Sequence, residues 1–407
     1  MRTFYTIGIW FYMLGVRIAA LFGHEKARLM VNGWKTTVPP TPAARDTAWF
    51  HAASLGEFEQ ARPVLEEYKR RHPESRIVVT FFSPSGYEVR KNYSQADAVL
   101  YLPPDLPHSV RRFLDTVQPT VAFFVKYEFW FNYLGALRRR GIPAYIFSAI
   151  FRPEQYFFKP WGRWYMRQLK DCFRHLFVQN EESLQLLKTH GIEHCSIAGD
   201  TRFDRVHQIA EAAERNEVVE TFLQGHDDKV LVCGSTWPPD EMLLAKLKVE
   251  GERLKVILAP HVISEEHLQQ IERIFPSSTR YSTLSSGTST TNQVLIIDNI
   301  GLLSKLYRYA DVAYIGGGFG VGIHNILEAV TFGKPVLFGP NYHKFQEALD
   351  IIERGGGFTH SDATTLEHNL ESLLTDPEAY NRASQACTDY MNANLGSTDI
   401  ILRTLEA

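Results

Sequence analysis

The stretch Asp311–Pro340, DVAYIGGGFGVGIHNILEAVTFGKPVLFGP, decides how this chain is read. Val312 to Ile315 is a short apolar run bounded by turn residues, as in a buried parallel strand. Gly316, Gly317 and Gly318 end it, with Gly320 and Gly322 close behind. Glycines in that number let the backbone take positive φ and let a ligand approach the main chain. His324 and Asn325 are expected to open a helix running through Thr331, with Gly333 as its C-cap. Pro335 to Phe338 reads as a second buried strand, stopped by Gly339-Pro340. Strand, glycine loop, helix N-terminus and strand make half of a nucleotide-binding α/β unit, with free N–H groups and the helix dipole facing a phosphate.

The dinucleotide fingerprint G-x-G-x-x-G cannot be read through these glycines, and the loop comes late in its domain. Asn325 and Glu328, three residues apart, share one helix face. A carboxylate there can accept from both hydroxyls of a ribose while the helix end holds the phosphate. The arrangement resembles the donor site of two-domain nucleotide-sugar transferases of GT-B architecture. The competing reading is a tight turn between buried strands.

Working outward, 407 residues are enough for two or three domains with full cores. A net charge of −3 argues against a general nucleic-acid binder. Cys172, Cys195, Cys233 and Cys387 are scattered, without C-x-x-C or paired His spacing. That pattern predicts a reduced, cytosol-facing protein without a structural metal. At the N-terminus, Phe4 to Val16 is apolar and uncharged, Arg17 interrupts, and Ile18 to Phe22 resumes. About 20 apolar residues span a bilayer, so this segment is either seated in the membrane or packed on its domain.

Pro39 to Asp46 (PPTPAARD) reads as a linker. Apolar runs at Ala48–Ala52, Ile77–Phe82, Ala98–Leu102, Thr120–Val125, Ala144–Phe147 and His175–Val178 then alternate with helical patterns. A second series follows at Val230–Cys233, Lys255–Leu258 and Val294–Ile297. Alternating short strands and helices predict an α/β chain of two Rossmann-like domains, their parallel sheets facing across a cleft. The expected division is a hydrophobic membrane-associating helix and linker over 1–38, a first domain over 39–205, an acidic hinge over 206–228, and a second domain with terminal helices over 229–407.

His51-Ala-Ala-Ser54-Leu-Gly56-Glu57 follows the first strand and opens a helix. Ser54 and Glu57 have capping-box spacing, which gives a purely structural reading. A carboxylate at the C-terminal edge of the sheet can also serve as a general base. The segment HAASLGEFEQARPVL resembles the H-S-x-S-x-G-E block of the 3-deoxy-D-manno-octulosonic acid (Kdo) transferases. Further blocks follow in that family's order: TFFSPSGYE, YLPPDLPHS, YEFWFN, VQNEES, GDTRFD, CGSTWPPDE, IGGGF…HNILEA and GKPVLFGPNYHKFQE.

That resemblance implies a metal-independent, inverting enzyme of the GT-B class at the cytoplasmic face of the inner membrane. It would move Kdo from CMP-Kdo to the lipid A precursor, with no cofactor beyond the donor and no nucleic-acid partner. Glu57 matches the base, and Glu128 is a second carboxylate that either joins the chemistry or orders the acceptor loop. Asn325, Ile326, Leu327 and Glu328 match the CMP-contacting segment, with Gly317 and Gly318 beside them. Ile300-Gly301-Leu302 and Pro260-His261 fall at further donor contacts, and Ser54 and Gly56 on the acceptor side. The chain departs from the family at His261 (usually Arg), Gly318 (usually Ser) and Lys126-Tyr127 (usually another acid). A His is a weaker phosphate partner than a guanidinium, so Lys344, another cation or the helix N-terminus would take over.

Lys159, Arg163, Arg167, Lys170 and Arg174 recur at helical spacing beside Phe157, Trp161, Trp164 and Tyr165. This reads either as a basic amphipathic surface for acceptor phosphates and an anionic membrane, with Lys159, Arg163 and Arg167 as acceptor contacts, or as a solvated face over an aromatic core. Two other classes remain in view: a nucleotide-sugar epimerase of similar architecture and a non-catalytic sugar-nucleotide-binding protein.

Overall fold

The computed structural model describes residues 1–35, 46–159, 162–224, 228–247, 254–284 and 291–406. Nearly all of the expected linker over 39–46, and Trp161, lie outside the described residues. The chain separates into two compact units, Met1–Arg205 with Leu395–Ala407, and Val206–Asn394.

In the first unit seven strands run in the order β3-β2-β1-β4-β5-β6-β7. They are β1 (Thr47–Ala52), β2 (Arg76–Phe81), β3 (Ala98–Tyr101), β4 (Val121–Val125), β5 (Ala144–Ala149), β6 (His175–Val178) and β7 (Cys195–Ile197), paired in parallel throughout. Every residue of β1, β2 and β5 is buried, because crossover helices cover both faces. The two-residue repeat sends Trp49 and Phe124 into one core and Phe50 and Phe123 into the other.

The first helix, α1 (Arg2–Leu21), is long and apolar enough to cross a membrane by length and composition. One of its stripes is tied to the unit. The Tyr5 hydroxyl donates to Asp105 at 2.7 Å, Arg2 Nε donates to Asn132 at 3.0 Å, and Met13 is buried. The opposite stripe, Phe4, Ile7, Phe11 and Ile18, is exposed. A second helix, α2 (Glu25–Gly33), lies so close to β3 that a Cβ on Gly33 would sit 2.1 Å from the Tyr101 ring.

Asp105 is the knot of this region. Besides Tyr5 it accepts from the backbone N–H groups of Asn132 at 3.0 Å and Tyr133 at 2.9 Å, at the start of the helix Phe131–Arg139. Burial raises its pKa from 3.8 to about 6. The folded chain therefore holds this proton where the unfolded chain has released it, and the group's contribution to stability falls as pH rises from about 4 to about 6.

The second unit has the order β10-β11-β9-β8-β12-β13-β14. Its strands are β8 (Lys229–Thr236), β9 (Leu254–Pro260), β10 (Ser278–Arg280), β11 (Val294–Ile296), β12 (Val312–Ile315), β13 (Val336–Phe338) and β14 (Gly357–Thr359), again all parallel. The expected strands are all present. Three strands were not expected from the sequence, β7, β10 and β14, and each is a three-residue edge strand with little apolar signal.

The sequence reading needs correction at one further place. The terminal helix Ser397–Glu406 was expected in the second domain but belongs to the first unit. There Ile401 and Leu402 join the Phe58–Val64–Leu65 core, and Arg71 bonds Asp399 at 2.8 Å. The connector over 206–228, expected to be acidic and mostly helical, carries the end of the helix Arg202–Glu211, which crosses the unit boundary, and the helix Glu217–Leu223 in the second unit, with residues 212–216 non-helical between them.

Replacing Asp105 with Ala would orphan one hydroxyl and two backbone N–H groups, at about 1–3 kcal/mol each before relaxation. Hydrogen exchange in Arg2–Leu21 and Phe131–Arg139 is expected to accelerate together in Asp105→Ala. Unchanged exchange in α1 would show that it is held by its apolar contacts alone.

Candidate active site

Each sheet reverses its strand order at one place, between β1 and β4 in the first unit and between β8 and β12 in the second. In open parallel sheets the carboxyl ends of the strands at such a point leave a crevice for ligands. Ser54, Gly56, Glu57 and Glu128 follow β1 and β4 at the first of these places, and Gly317 and Gly318 follow β12 at the second.

At the first, β1 delivers His51, and Ser54 caps α3 (Leu55–Arg71). The capping box is real: Ser54 Oγ accepts from the Glu57 N–H at 3.5 Å, and Glu57 Oε2 accepts from the Ser54 N–H at 3.1 Å. Beside it, β4 is followed by Lys126, a non-glycine residue at φ 56°, which turns the chain to present Glu128. Strain of this kind persists only where the surroundings hold it. Glu128 Oε2 accepts from Trp130 Nε1 at 2.7 Å and meets His51 Nε2 at 3.0 Å. The Trp130 indole N–H also lies 2.9 Å from His51 Nε2, so it is shared between the carboxylate and the ring. His51 Nδ1 lies 2.9 Å from the Thr80 hydroxyl, which itself receives Trp49 Nε1 at 2.8 Å. Glu128 is thereby held by the Trp130 indole and by His51, a buried residue of β1.

Helix N-termini ordinarily favour a charged carboxylate, yet the Glu57 pKa is raised. Burial is the main cause and the Glu128 charge the next, with Lys126 and His51 pulling the other way. A carboxylate whose proton affinity is raised by burial and a neighbouring acid is an arrangement that general acid–base chemistry uses. Gly56 is exposed, and a Cβ there would meet no protein atom within 4 Å. Neither packing nor φ demands glycine at this position.

At the second place the glycines have a different use. A Cβ on Gly316 would lie 2.3 Å from the Ser235 carbonyl oxygen, and one on Gly318 would lie 2.6 Å from Gly339. Gly317, at φ 92°, gives its N–H to the buried carboxylate of Asp240 at 3.0 Å. Asp240 also accepts from the Trp237 N–H at 2.9 Å and the Tyr314 hydroxyl at 2.9 Å. Backbone packing, rather than close approach by a ligand, is what fills the space over Gly316, Gly317 and Gly318. The close approach of Gly339 also explains why Gly318 carries no side chain.

The helix expected from His324 to Thr331 is shortened to Leu327–Val330. The Asn325 side chain causes this: it accepts from the Leu327 N–H at 3.2 Å, and its amide donates to Glu328 at 3.2 Å. The single turn gives little dipole. Ile326 and Leu327 are wholly buried, so only their backbone is available to a ligand, whereas the Asn325 and Glu328 side chains are half-buried. Pro260 ends β9, and His261 stacks between Trp237, at 4.7 Å, and His324, at 4.4 Å. Trp237 Nε1 donates to His324 Nε2 at 3.1 Å. Burial, then His261, lowers the His324 pKa, so this ring is neutral near pH 7. Lys344 is exposed. Ile300 is exposed, Leu302 half-buried, and Gly301 turns at φ 95° with open space beside it.

Lys159, Arg163 and Arg167 share a cavity of about 830 Å³ with Lys170 in the first unit. Among the described residues none of these four cations has an ion-pair partner. The neighbouring aromatics are core groups, since Trp164 and Tyr165 pack on Phe131 at 5.0 and 5.2 Å. Sequence reasoning missed Asp105, Trp130, Trp237, Asp240 and His324 as organising groups. All but Asp240 are aromatic or histidine side chains, or a lone acid in a loop, whose partners are far away in sequence.

Two glycine substitutions separate these roles. Gly316→Ala is expected to destabilise the second unit by about 1–3 kcal/mol, whereas Gly56→Ala should leave thermal unfolding unchanged. A stable Gly316→Ala would mean that β8 and β12 can part without cost.

Residues 26–205 match the family described as 3-Deoxy-D-manno-octulosonic-acid transferase (kdotransferase). The chain is 28% identical over 335 residues to the 3-deoxy-D-manno-octulosonic acid transferase of Aquifex aeolicus, covering 80% of this chain and 86% of that protein. Its likeness to the same-named protein of Haemophilus influenzae is 26% over 378 residues, covering 88% and 86%. Among solved structures, UDP-GlcNAc 2-epimerase from Neisseria meningitidis, bound to UDP-GlcNAc, superposes with a TM-score of 0.61 at 17% identity, over 88% of this chain and 99% of that one. A putative UDP-N-acetylglucosamine 2-epimerase from Listeria monocytogenes gives 0.60 at 12%, over 89% and 96%. These two likenesses concern the fold, which is that of two Rossmann-like parallel-sheet domains of GT-B type. In its sequence blocks, in the family match over residues 26–205 and in its relatives, the chain is similar to the 3-deoxy-D-manno-octulosonic acid transferases.

Proposed function

We propose that this chain transfers Kdo from CMP-Kdo to the lipid A precursor with inversion, and that Glu57 is the general base. The observation that carries the reading is the Glu57 carboxylate at the β1–β4 switch point, its pKa raised by burial and by Glu128. A carboxylate whose pKa is raised above that of an ordinary glutamate takes a hydroxyl proton more readily once it is ionised.

In the proposed step the acceptor hydroxyl oxygen attacks the anomeric carbon of Kdo as its proton passes to Glu57. The bond from that carbon to the phosphate oxygen breaks, and CMP leaves with the electron pair. Glu128, fixed by His51 and Trp130, holds the basicity of Glu57 up and leaves room for the acceptor over Gly56. On the donor side, Glu328 and Asn325 would take the ribose hydroxyls, and His261, stacked on His324, would face the phosphate. CMP-Kdo carries a single phosphate, so the reading calls for no diphosphate-clamping metal and no cofactor.

The cations of the Lys159–Arg163–Arg167 cavity suit the acceptor's phosphates. The exposed apolar stripe of α1 suits an anionic membrane surface, which supports a place at the cytoplasmic face of the inner membrane.

Transfer of labelled Kdo to a tetraacyl lipid A precursor, with chelator present, is expected to fall by about 10² to 10⁴-fold in Glu57→Gln while CMP binding persists. Equal activity would reduce Glu57 to a helix cap. In a companion pH–rate profile, Lys126→Gln removes a charge that holds the Glu57 pKa down, so the acid limb should move to higher pH. An unmoved limb would place the titrating group elsewhere.

A further inference from the structure

We propose that the cavity between α1, α2 and the helix Pro107–Val117 binds one anionic phospholipid of the bilayer, its phosphate on the rim and an acyl chain inside. The cavity measures about 530 Å³, which lies within the range of sites that enclose a small ligand. Trp10, Leu14, Trp34, Leu106 and Phe113 give it an apolar wall. Arg17, Lys35 and Arg112 line the same cavity, together with His108, and no Asp or Glu does. Among the described residues none of these three cations has a carboxylate partner, although their neighbours Arg111 and Arg140 both reach Asp115.

Helical geometry accounts for the placement. Tyr5 and Tyr12 mark the stripe of α1 that faces the protein, with Tyr12 stacked 6.0 Å from Phe82. Trp10, Leu14 and Arg17 recur every three to four residues on the next stripe, which walls the cavity. Phe4, Ile7, Phe11 and Ile18 form the third and are exposed. The cavity therefore lies directly beside an unpartnered apolar surface, and Arg17, Lys35 and Arg112 line it. Apolar wall plus cationic rim is complementary to an acyl chain ending in a phosphodiester. Continuity with the exposed stripe favours a lipid of the bilayer over the acceptor substrate as occupant.

The inference does not rest on the reaction proposed above, and its test reads no transfer. Full-length protein is titrated with monomeric dihexanoyl-phosphatidylglycerol, with tryptophan emission reporting from Trp10 and Trp34. The expected result is saturable binding at least tenfold tighter than for dihexanoyl-phosphatidylcholine. Arg112→Glu at the rim should weaken it by roughly tenfold, and Ser109→Phe, which fills the cavity, should abolish it, with circular dichroism unchanged in both. Equal affinity for the two lipids, or binding indifferent to both substitutions, would overturn the proposal. Displacement by inorganic phosphate would reduce the site to a surface anion contact. One-for-one displacement by the tetraacyl acceptor would assign the cavity to the substrate and equally overturn it.

Discussion

Asp105 joins three parts of the first unit that have no reason of their own to meet. It binds the hydroxyl of Tyr5 on α1, sits in the loop after β3, and accepts the first N–H groups of the helix that follows Glu128 and Trp130. A buried carboxylate needs such donors, because without them it is expelled or neutralised. Its raised pKa shows that burial still outweighs them. Through this side chain, together with the bonds of Arg2 and Thr6 to Asn132, α1 is coupled to the helix that follows Glu128.

At the start of α3 a common cap has acquired a raised proton affinity. Ser54 and Glu57 form the reciprocal bonds of a capping box, which alone would keep Glu57 ionised and inert. What differs is the neighbour. Glu128, held by Trp130 and His51, places a second negative charge close to a half-buried carboxylate and raises its proton affinity. Lys126, where the family more often has an acid, moderates the effect. In the second unit Asp240 has a comparable structural task, fastening Gly317, Trp237 and Tyr314 at the corresponding switch point.

Much of this was legible in the sequence because buried parallel strands write continuous apolar runs. Only edge strands escaped, β7, β10 and β14, being short and partly polar. The site was legible where a motif holds its own parts together, as in Ser54–Glu57 and Asn325–Glu328. It was not legible where partners meet across the sheet: His51 with Glu128, 77 residues apart, or Asp240 with Gly317, also 77 apart. The glycine loop was read for the right fold and a different reason, since its missing side chains make room for Ser235 and Gly339. The terminal helix was misassigned because an amphipathic pattern states that one face is buried, not against which sheet.

The central claim is that the Glu57 carboxylate is a base and not merely a cap, and its proton affinity tests this directly. Carbon-13 carboxyl titration of Glu57 in the full-length protein, assigned by loss of the signal in Glu57→Gln, should give a pKa above that of an ordinary glutamate. In Glu128→Gln it should move down, because a neighbouring negative charge is gone. A value at or below the ordinary one, unmoved by Glu128→Gln, is what a helix cap alone would give, and it would contradict the account.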